Sequence, residues 1–302
     1  MVVITAKPVD YPVAIDWLFP GEPSKAGRAL AVLRAGEFGP DALLAIREQG
    51  RVVGAILCHL QPGSAATIYP PGAVDAPTAD ALVQAVERKM LAAGVKQGQT
   101  LLRPAEAARA EPLLRGGFCR IAQLSLQVRS IPLLEAFDPP LPSLHFLPAT
   151  AVTPGFAETL ESTYDGTLDC PELNGVRDIR EVLQGYHEFP KGERRGWFLV
   201  ERAGQPVGVV LLGPGPRPGI VELSYLGLVP SARGRKFGEH LLRFALRETA
   251  ARFAECLILN VDQRNAPALQ LYVNAGFREY DRQDVYLWCA PGGSCGETAF
   301  DR

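Results

Sequence analysis

The chain has 302 residues, with 31 Lys+Arg against 33 Asp+Glu, a formal charge of −2 and an apolar fraction of 47%. That length suits two ordinary domains, each able to bury its own core. The balanced charge excludes nucleic-acid binding carried by general basicity. No run of 18 apolar residues occurs, and the N-terminus has no basic region ahead of an apolar stretch. Neither a spanning helix nor a signal peptide is expected, so the reading is a cytoplasmic protein without membrane partners. The cysteines stand at 58, 119, 170, 256, 289 and 295, with no C-x-x-C and no His at zinc-ligand spacing. That pattern predicts free thiols and no metal.

In chain order, LLAIREQGRVVGAIL (43–57) predicts a hairpin turning at Gln49-Gly50. TADALVQAVERKMLAAG (78–94) has Ala81, Leu82, Ala85, Val86 and Met90 at helical spacing. LLRGGFCRIAQLSLQV (113–128) reads as a turn followed by strands. Five prolines between 131 and 150 mark a stiff linker at 131–143. WFLVERAGQPVGVVLL (197–212) is a second hairpin, with its turn placed at Gly204-Gln205. GEHLLRFALRETAARFA (238–254) is a second amphipathic helix, with Leu241, Leu242, Ala245 and Phe253 on one stripe. The small, polar stretch 291–302 reads as a tail.

This order repeats. Gly117-Phe118 and Gly276-Phe277 are 159 residues apart, as are Pro71 and Pro230, each read as ending an apolar run. Each half then reads strand, helices, hairpin, strand, helix, strand, helix, strand pair. The expected fold class is α/β, a mixed sheet built as two tandem domains at 1–130 and 144–290.

The halves differ in one stretch. In ELSYLGLVPSARGRKFGEHLLRFAL (222–246) a strand over Ile220–Val229 stops at Pro230, a loop rich in Arg and Gly follows, and a helix starts near Gly238. A strand feeding such a loop into a helix N-terminus makes an anion site, because unpaired N–H groups and the helix dipole favour negative charge. Gly234 and Gly238 permit close backbone approach. Arg233, Arg235 and Lys236 add cations suited to phosphate.

Arg233-Gly234-Arg235-Lys236-Phe237-Gly238 resembles motif A of the GNAT superfamily of N-acetyltransferases, Gln/Arg-x-x-Gly-x-Gly/Ala, with Lys236 in place of the central glycine. LNVDQRNAPALQLYVNAGF (259–277) resembles its motif B through Asn265, Ala268, Leu271, Tyr272, Gly276 and Phe277. Motif B also resembles that of the ribosomal-protein N-terminal acetyltransferases. The resemblance implies two tandem GNAT-like domains and acetyl-CoA as co-substrate. Acetyl-CoA would bind along Leu226, Leu228, Val229, the loop from Arg233 to Gly238, Asn265, Ala268 and Tyr272. The resemblance also implies a splayed central strand pair with pantetheine between the strands. Glu222 matches a glutamate used as general base, and its apolar neighbours would raise its pKa. Tyr272 matches a tyrosine that protonates the leaving thiolate. The backbone N–H near Leu228 would stabilise the oxyanion. Asn265 reads equally as a helix N-cap.

The acceptor region falls at 160–189, where Tyr164, Asp169, Glu172, Asn174 and Arg177 are the candidate substrate residues. Its acidic residues would suit a cationic amine, carried by a small molecule or a peptide. Shifted by 159, Glu222 becomes Gly63, Arg233 becomes Val74, Gly238 becomes Ala79 and Tyr272 becomes Leu113. The first half is therefore expected to be non-catalytic. The expected function is direct transfer of an acetyl group to a primary amine in the second half. The alternative is a non-catalytic acyl-CoA sensor that keeps the loop.

Overall fold

A computed structural model describes residues 1–132, 143–187, 189–190, 193 and 195–292. The predicted linker at 131–143 lies almost wholly outside these residues, as does most of the tail, with Cys295. The elements are β1 (Val3–Thr5), α1 (Tyr11–Leu18), α2 (Pro23–Ala35), β2 (Leu43–Glu48), β3 (Arg51–Gln61), β4 (Ala65–Ala73), α3 (Ala76–Ala92), β5 (Gln97–Leu102), α4 (Glu111–Arg115) and β6 (Cys119–Ser130). They continue with β7 (Leu144–Pro148), α5 (Phe156–Ser162), α6 (Ile179–Gly185), β8 (Trp197–Arg202), β9 (Gln205–Pro214), β10 (Ile220–Leu228), α7 (Phe237–Ala250), β11 (Cys256–Asp262), α8 (Ala266–Asn274) and β12 (Arg278–Cys289). The expected strand pair at the end of each half is one long strand, β6 or β12.

The chain divides into two compact units. The first holds 1–122, 175–177 and the chain from 284 onward; the second holds 123–174 and 178–283. This differs from a division at the proline-rich stretch. Residues 123–130 of β6 pair with β11, and 284–289 of β12 pair with β5. Each unit thus completes its sheet with a strand from the other half of the sequence.

In the first unit, neighbours run β1-β2-β3-β4-β5 and then the end of β12, with only β4–β5 parallel. One face packs α3, through Leu82, Val86 and Met90, with Tyr286 and Trp288 of β12. The other packs α1 and α2. In the second unit the order is β6-β11-β10-β9-β8-β7, with only β10–β11 parallel. Leu241, Leu242 and Ala245 of α7 join Tyr272 and Phe277 over one face. Phe156, Leu160 and Leu183 cover the other, with Trp197. Helix α7 stops at Ala250, so Phe253 leaves the predicted stripe and is exposed.

Turn chemistry corrects the second hairpin. Gln49 and Gly50 have φ of 50° and 78°, and Ala203 and Gly204 have 52° and 73°. The tight hairpin turn that suits strand twist needs positive φ at both central residues. The turn is therefore Ala203-Gly204, not Gly204-Gln205. Pro71 lies inside β4 rather than at its end.

Cys58, Cys170 and Cys256 are free thiols. Burial pushes the Cys58 thiol up to about 11, as expected of a small buried hydrophobe. Among the described residues no helix is long and apolar enough to cross a membrane, and no cluster of His, Cys, Asp or Glu is placed to hold a metal ion.

The late strand carries much of the first unit's core. Trp288 is 3% exposed within it. Trp288→Ala is expected to destabilise that unit by about 3–5 kcal/mol, read as a lowered midpoint in urea unfolding followed by circular dichroism.

Candidate active site

The site begins where two parallel strands part. β10 and β11 pair only from Ile220↔Cys256 to Glu222↔Ile258, although β10 continues to Leu228 and β11 to Asp262. A register shift between Leu223 and Tyr225 marks the departure. The strands open into a cleft of about 240 Å³, lined among others by Leu226, Leu228, Asp169, Asn265, Ala268 and Tyr272. This is the splay that the resemblance implied.

The backbone of β10 alternates at this point. The Val229 N–H donates to the Val207 carbonyl at 3.1 Å, and residue partners run Leu228↔Gly208, Gly227↔Val209, Leu226↔Val210. Hydrogen-bonded and free positions alternate along an antiparallel pair. The amides of Leu226 and Leu228 therefore face away from β9, into the cleft. Val229 is excluded from the expected donor set, since its N–H is taken by β9 and its carbonyl accepts from Ala232.

Beyond β10, residues 229–236 lead into α7. The N-cap, Lys236, makes no side-chain capping bond; the Glu239 N–H donates to the Lys236 carbonyl at 3.1 Å, so the Phe237 and Gly238 N–H groups face an external acceptor. Gly234 has φ of 73° and Lys236 of 61°. The second value explains why the family pattern has glycine there: the left-handed backbone persists, although a lysine occupies it. Arg235 and Lys236 are exposed. Phe237 is buried in the core beneath the Arg202 guanidinium, so only its backbone can face a ligand. A Cβ on Gly238 would meet Leu271 at 3.5 Å, an ordinary van der Waals contact.

Arg233 departs from the expectation of a phosphate ligand. Its guanidinium donates to the carbonyls of Leu228 (3.1 Å), Asp165 (2.7 Å), Gly166 (3.3 Å) and Thr163 (2.8 Å). Those acceptors turn it inward, onto the protein.

Tyr272 is buried and lines the cleft. Burial, reinforced by the charge of Asp169, moves its phenol well above the ordinary tyrosine range, so it stays protonated. Asn265 caps α8 by accepting from the Ala268 N–H at 3.3 Å and also lines the cleft. Glu222 sits at the last paired position and borders the cleft without lining it. Burial raises its carboxyl above the ordinary range, partly opposed by His187.

The five candidate acceptor residues separate. Asp169 lines the cleft, accepts from the Asp262 N–H at 2.7 Å, and is raised by burial. Tyr164 meets the Tyr225 ring edge-on at 5.6 Å. Glu172 is held bidentately by Arg264 at 2.6 and 2.9 Å, and Asn174 donates to the Tyr164 carbonyl. Arg177 belongs to the first unit, where it bonds Gln97 and the Gly63 carbonyl. Glu172 and Arg177 are thus occupied structurally.

Sequence reading missed Thr163, Tyr225, Gly227 and Asp262. Thr163 donates to the Leu160 carbonyl, so Tyr225, 2.8 Å away, must donate to Thr163 and present lone pairs elsewhere. A Cβ on Gly227 would lie 2.6 Å from the Tyr225 ring and 2.8 Å from Thr163. Only the glycine in the strand run YLGL hinted at that close approach.

The first unit keeps the splay and loses the rest. β4 and β5 pair only from Ala65↔Gln97 to Thr67↔Gln99. By that register the counterpart of Glu222 is Thr67, not Gly63. Only residues 74–75 separate β4 from α3, so Arg233 has no counterpart at all. Asp75 caps α3 with its own carboxylate, 2.9 Å from the Thr78 N–H, where an external anion would sit. The Thr100 hydroxyl donates across the splay to the Ile68 carbonyl at 2.7 Å.

Residues 160–277 match the family model described as Acetyltransferase (GNAT) family. The chain is 32% identical over 154 residues to a mycothiol acetyltransferase of Thermomonospora curvata, covering 49% of this chain and 51% of the relative. The chain thus spans about half the length of that curated relative. Among solved structures, a GCN5-related N-acetyltransferase from Sphaerobacter thermophilus is similar over 95% of each chain, at 16% identity and TM-score 0.59. A tandem GNAT protein from the clavulanic acid biosynthesis pathway is similar over 98% of this chain and 99% of its own, at 17% identity and TM-score 0.51. The fold is that of tandem GNAT domains.

The crowding at Gly227 gives a test. Gly227→Ala is expected to cost about 1–3 kcal/mol and to displace Tyr225, read as a lower melting temperature with weakened acetyl-CoA binding.

Proposed function

We propose that this protein is an acetyl-CoA-dependent N-acetyltransferase whose reaction takes place in the second unit, by direct transfer to a primary amine. The observation that carries this reading is the opened β10–β11 pair beside an uncapped α7 N-terminus, with Tyr272 lining the cleft. The donor's phosphates bind the backbone of Gly234–Gly238 under the helix dipole, with Arg235 and Lys236 as cations. Pantetheine amides pair with the free backbone of Leu226, and the Leu228 N–H receives the developing oxyanion. Ala268 and Asn265 wall the cleft from α8.

The acceptor arrives as an ammonium ion. Glu222, which borders the cleft, takes its proton by way of water. The free amine attacks the thioester carbonyl, the C–N bond forms, and the C–S bond breaks as the intermediate collapses. Tyr272 gives its proton to the departing thiolate, and the attacking nitrogen, which carries one proton too many after the C–N bond forms, releases it through water to restore the Tyr272 phenol. A raised carboxyl pKa suits Glu222 to accept a proton, and a raised phenol pKa keeps Tyr272 protonated until the thiolate forms. The first unit is a non-catalytic repeat, its helix terminus already capped by Asp75. The relatives' name, mycothiol acetyltransferase, favours a small-molecule amine over a peptide.

Because the base must be deprotonated, kcat/KM is expected to rise with pH through a value above the ordinary glutamate range. Glu222→Gln removes that limb, and Tyr272→Phe lowers kcat by about 10²–10⁴ with acetyl-CoA binding retained. Full turnover in both variants would sink the assignment. Unchanged acetyl-CoA binding in both, with no turnover by the unsubstituted protein on any amine, would point to a sensor.

Calorimetry tests the donor site separately. One acetyl-CoA per chain is expected, weakened about 10- to 100-fold in Arg235→Ala/Lys236→Ala. Two sites per chain would show that the first unit also binds the donor.

A further inference from the structure

We propose that Arg233 is a positioning residue that couples the phosphate loop to the segment walling the acceptor side of the cleft, rather than a ligand of the donor's phosphates. The proposal rests on the acetyltransferase reading for its chemistry, but its geometry stands apart from it.

Arg233 opens the phosphate loop, yet its guanidinium faces the other way. Three of its four acceptors, the carbonyls of Thr163, Asp165 and Gly166, belong to the end of α5 and the turn after it. The fourth, Leu228, ends β10. A helix C-terminus leaves carbonyls without intrahelical partners, and a guanidinium's planar fork of donors can satisfy several at once. One side chain therefore ties together the splayed strand, the phosphate loop and the start of the 163–174 segment.

The far end of that segment is tied to the other splayed strand. Asp262, which ends β11 and is fully buried, donates its N–H to Asp169 and accepts from the Cys170 N–H at 3.2 Å. Arg264 grips both Asp262 and Glu172. The segment carrying Asp169 thus lines the cleft, fastened to β10 by Arg233 and to β11 by Asp262. A ligand that orders the amides of Gly234–Gly238 also orders the residue holding the near end. Donor binding and acceptor-wall geometry are linked through one guanidinium.

The test is hydrogen exchange of residues 160–170 in the full chain, with and without desulfo-CoA, beside acetyl-CoA calorimetry. In Arg233→Ala these amides are expected to exchange about tenfold faster than in the unsubstituted protein. Desulfo-CoA should protect them in the unsubstituted protein but not in the variant, whereas a merely structural arginine would leave that ligand response intact. Acetyl-CoA affinity is expected to change less than about threefold, since no phosphate contact is lost. Arg233→Gln, which keeps N–H donors without the charge, is expected to restore most of the protection and guards against a misfolded alanine variant. Unchanged exchange in Arg233→Ala, or a tenfold or greater loss of acetyl-CoA affinity with unchanged exchange, would overturn the proposal. Failure of the unsubstituted protein to bind either CoA compound would instead remove the acetyltransferase reading. The ligand-free exchange comparison would still decide whether Arg233 holds the segment.

Discussion

The structure of the second unit turns on a pairing that stops. After Glu222↔Ile258 the two central parallel strands diverge, and the backbone groups along their inner edges lose each other as partners. Buried N–H and C=O groups must find partners somewhere. Part of the demand is met within the protein: Arg233 takes the Leu228 carbonyl, and Tyr225 and Thr163 fill the space over Gly227. The rest is left as a cleft whose walls present free backbone, a buried tyrosine and a carboxylate. A ligand with amides along its length matches that pattern.

The first unit shows the same demand met without a ligand. Its central strands also part, but Thr100 bridges the gap with its hydroxyl and Asp75 supplies the anion at the helix start. Shortening the connection to residues 74–75 removes the loop altogether. The two units thus share a backbone plan and differ in who satisfies it. The two clefts differ in the strand-to-helix junction, residues 74–75 against 229–236, and in the Thr100 bridge.

Strand exchange between the two halves of the sequence adds a second constraint. The first unit's core includes Tyr286 and Trp288, residues near the end of the sequence. The second unit's sheet ends on residues that precede the proline-rich stretch. A polypeptide that pauses after its first half therefore lacks part of the core of its first unit, and non-local pairing of this kind slows folding.

The sequence by itself determined the duplication, both amphipathic helices, the strand–loop–helix and the resemblance carried by Arg233, Gly238 and Tyr272. These are local patterns, written in turn residues, apolar spacing and missing side chains within one element or junction. Only the tertiary structure decided that Arg233 turns inward and that Arg177 sits in the other unit. Only it showed Glu172 spoken for by Arg264 and the counterpart of Glu222 to be Thr67. Each of these depends on a partner far along the chain: Arg264 and Glu172 are 92 residues apart, Arg177 and Gln97 80 apart. A constant offset fails for a related reason, because the two halves have connections of different length and only strand pairing fixes which residues correspond. Charge and donor count are visible in a sequence, but the direction in which a guanidinium points depends on acceptors that folding brings to it.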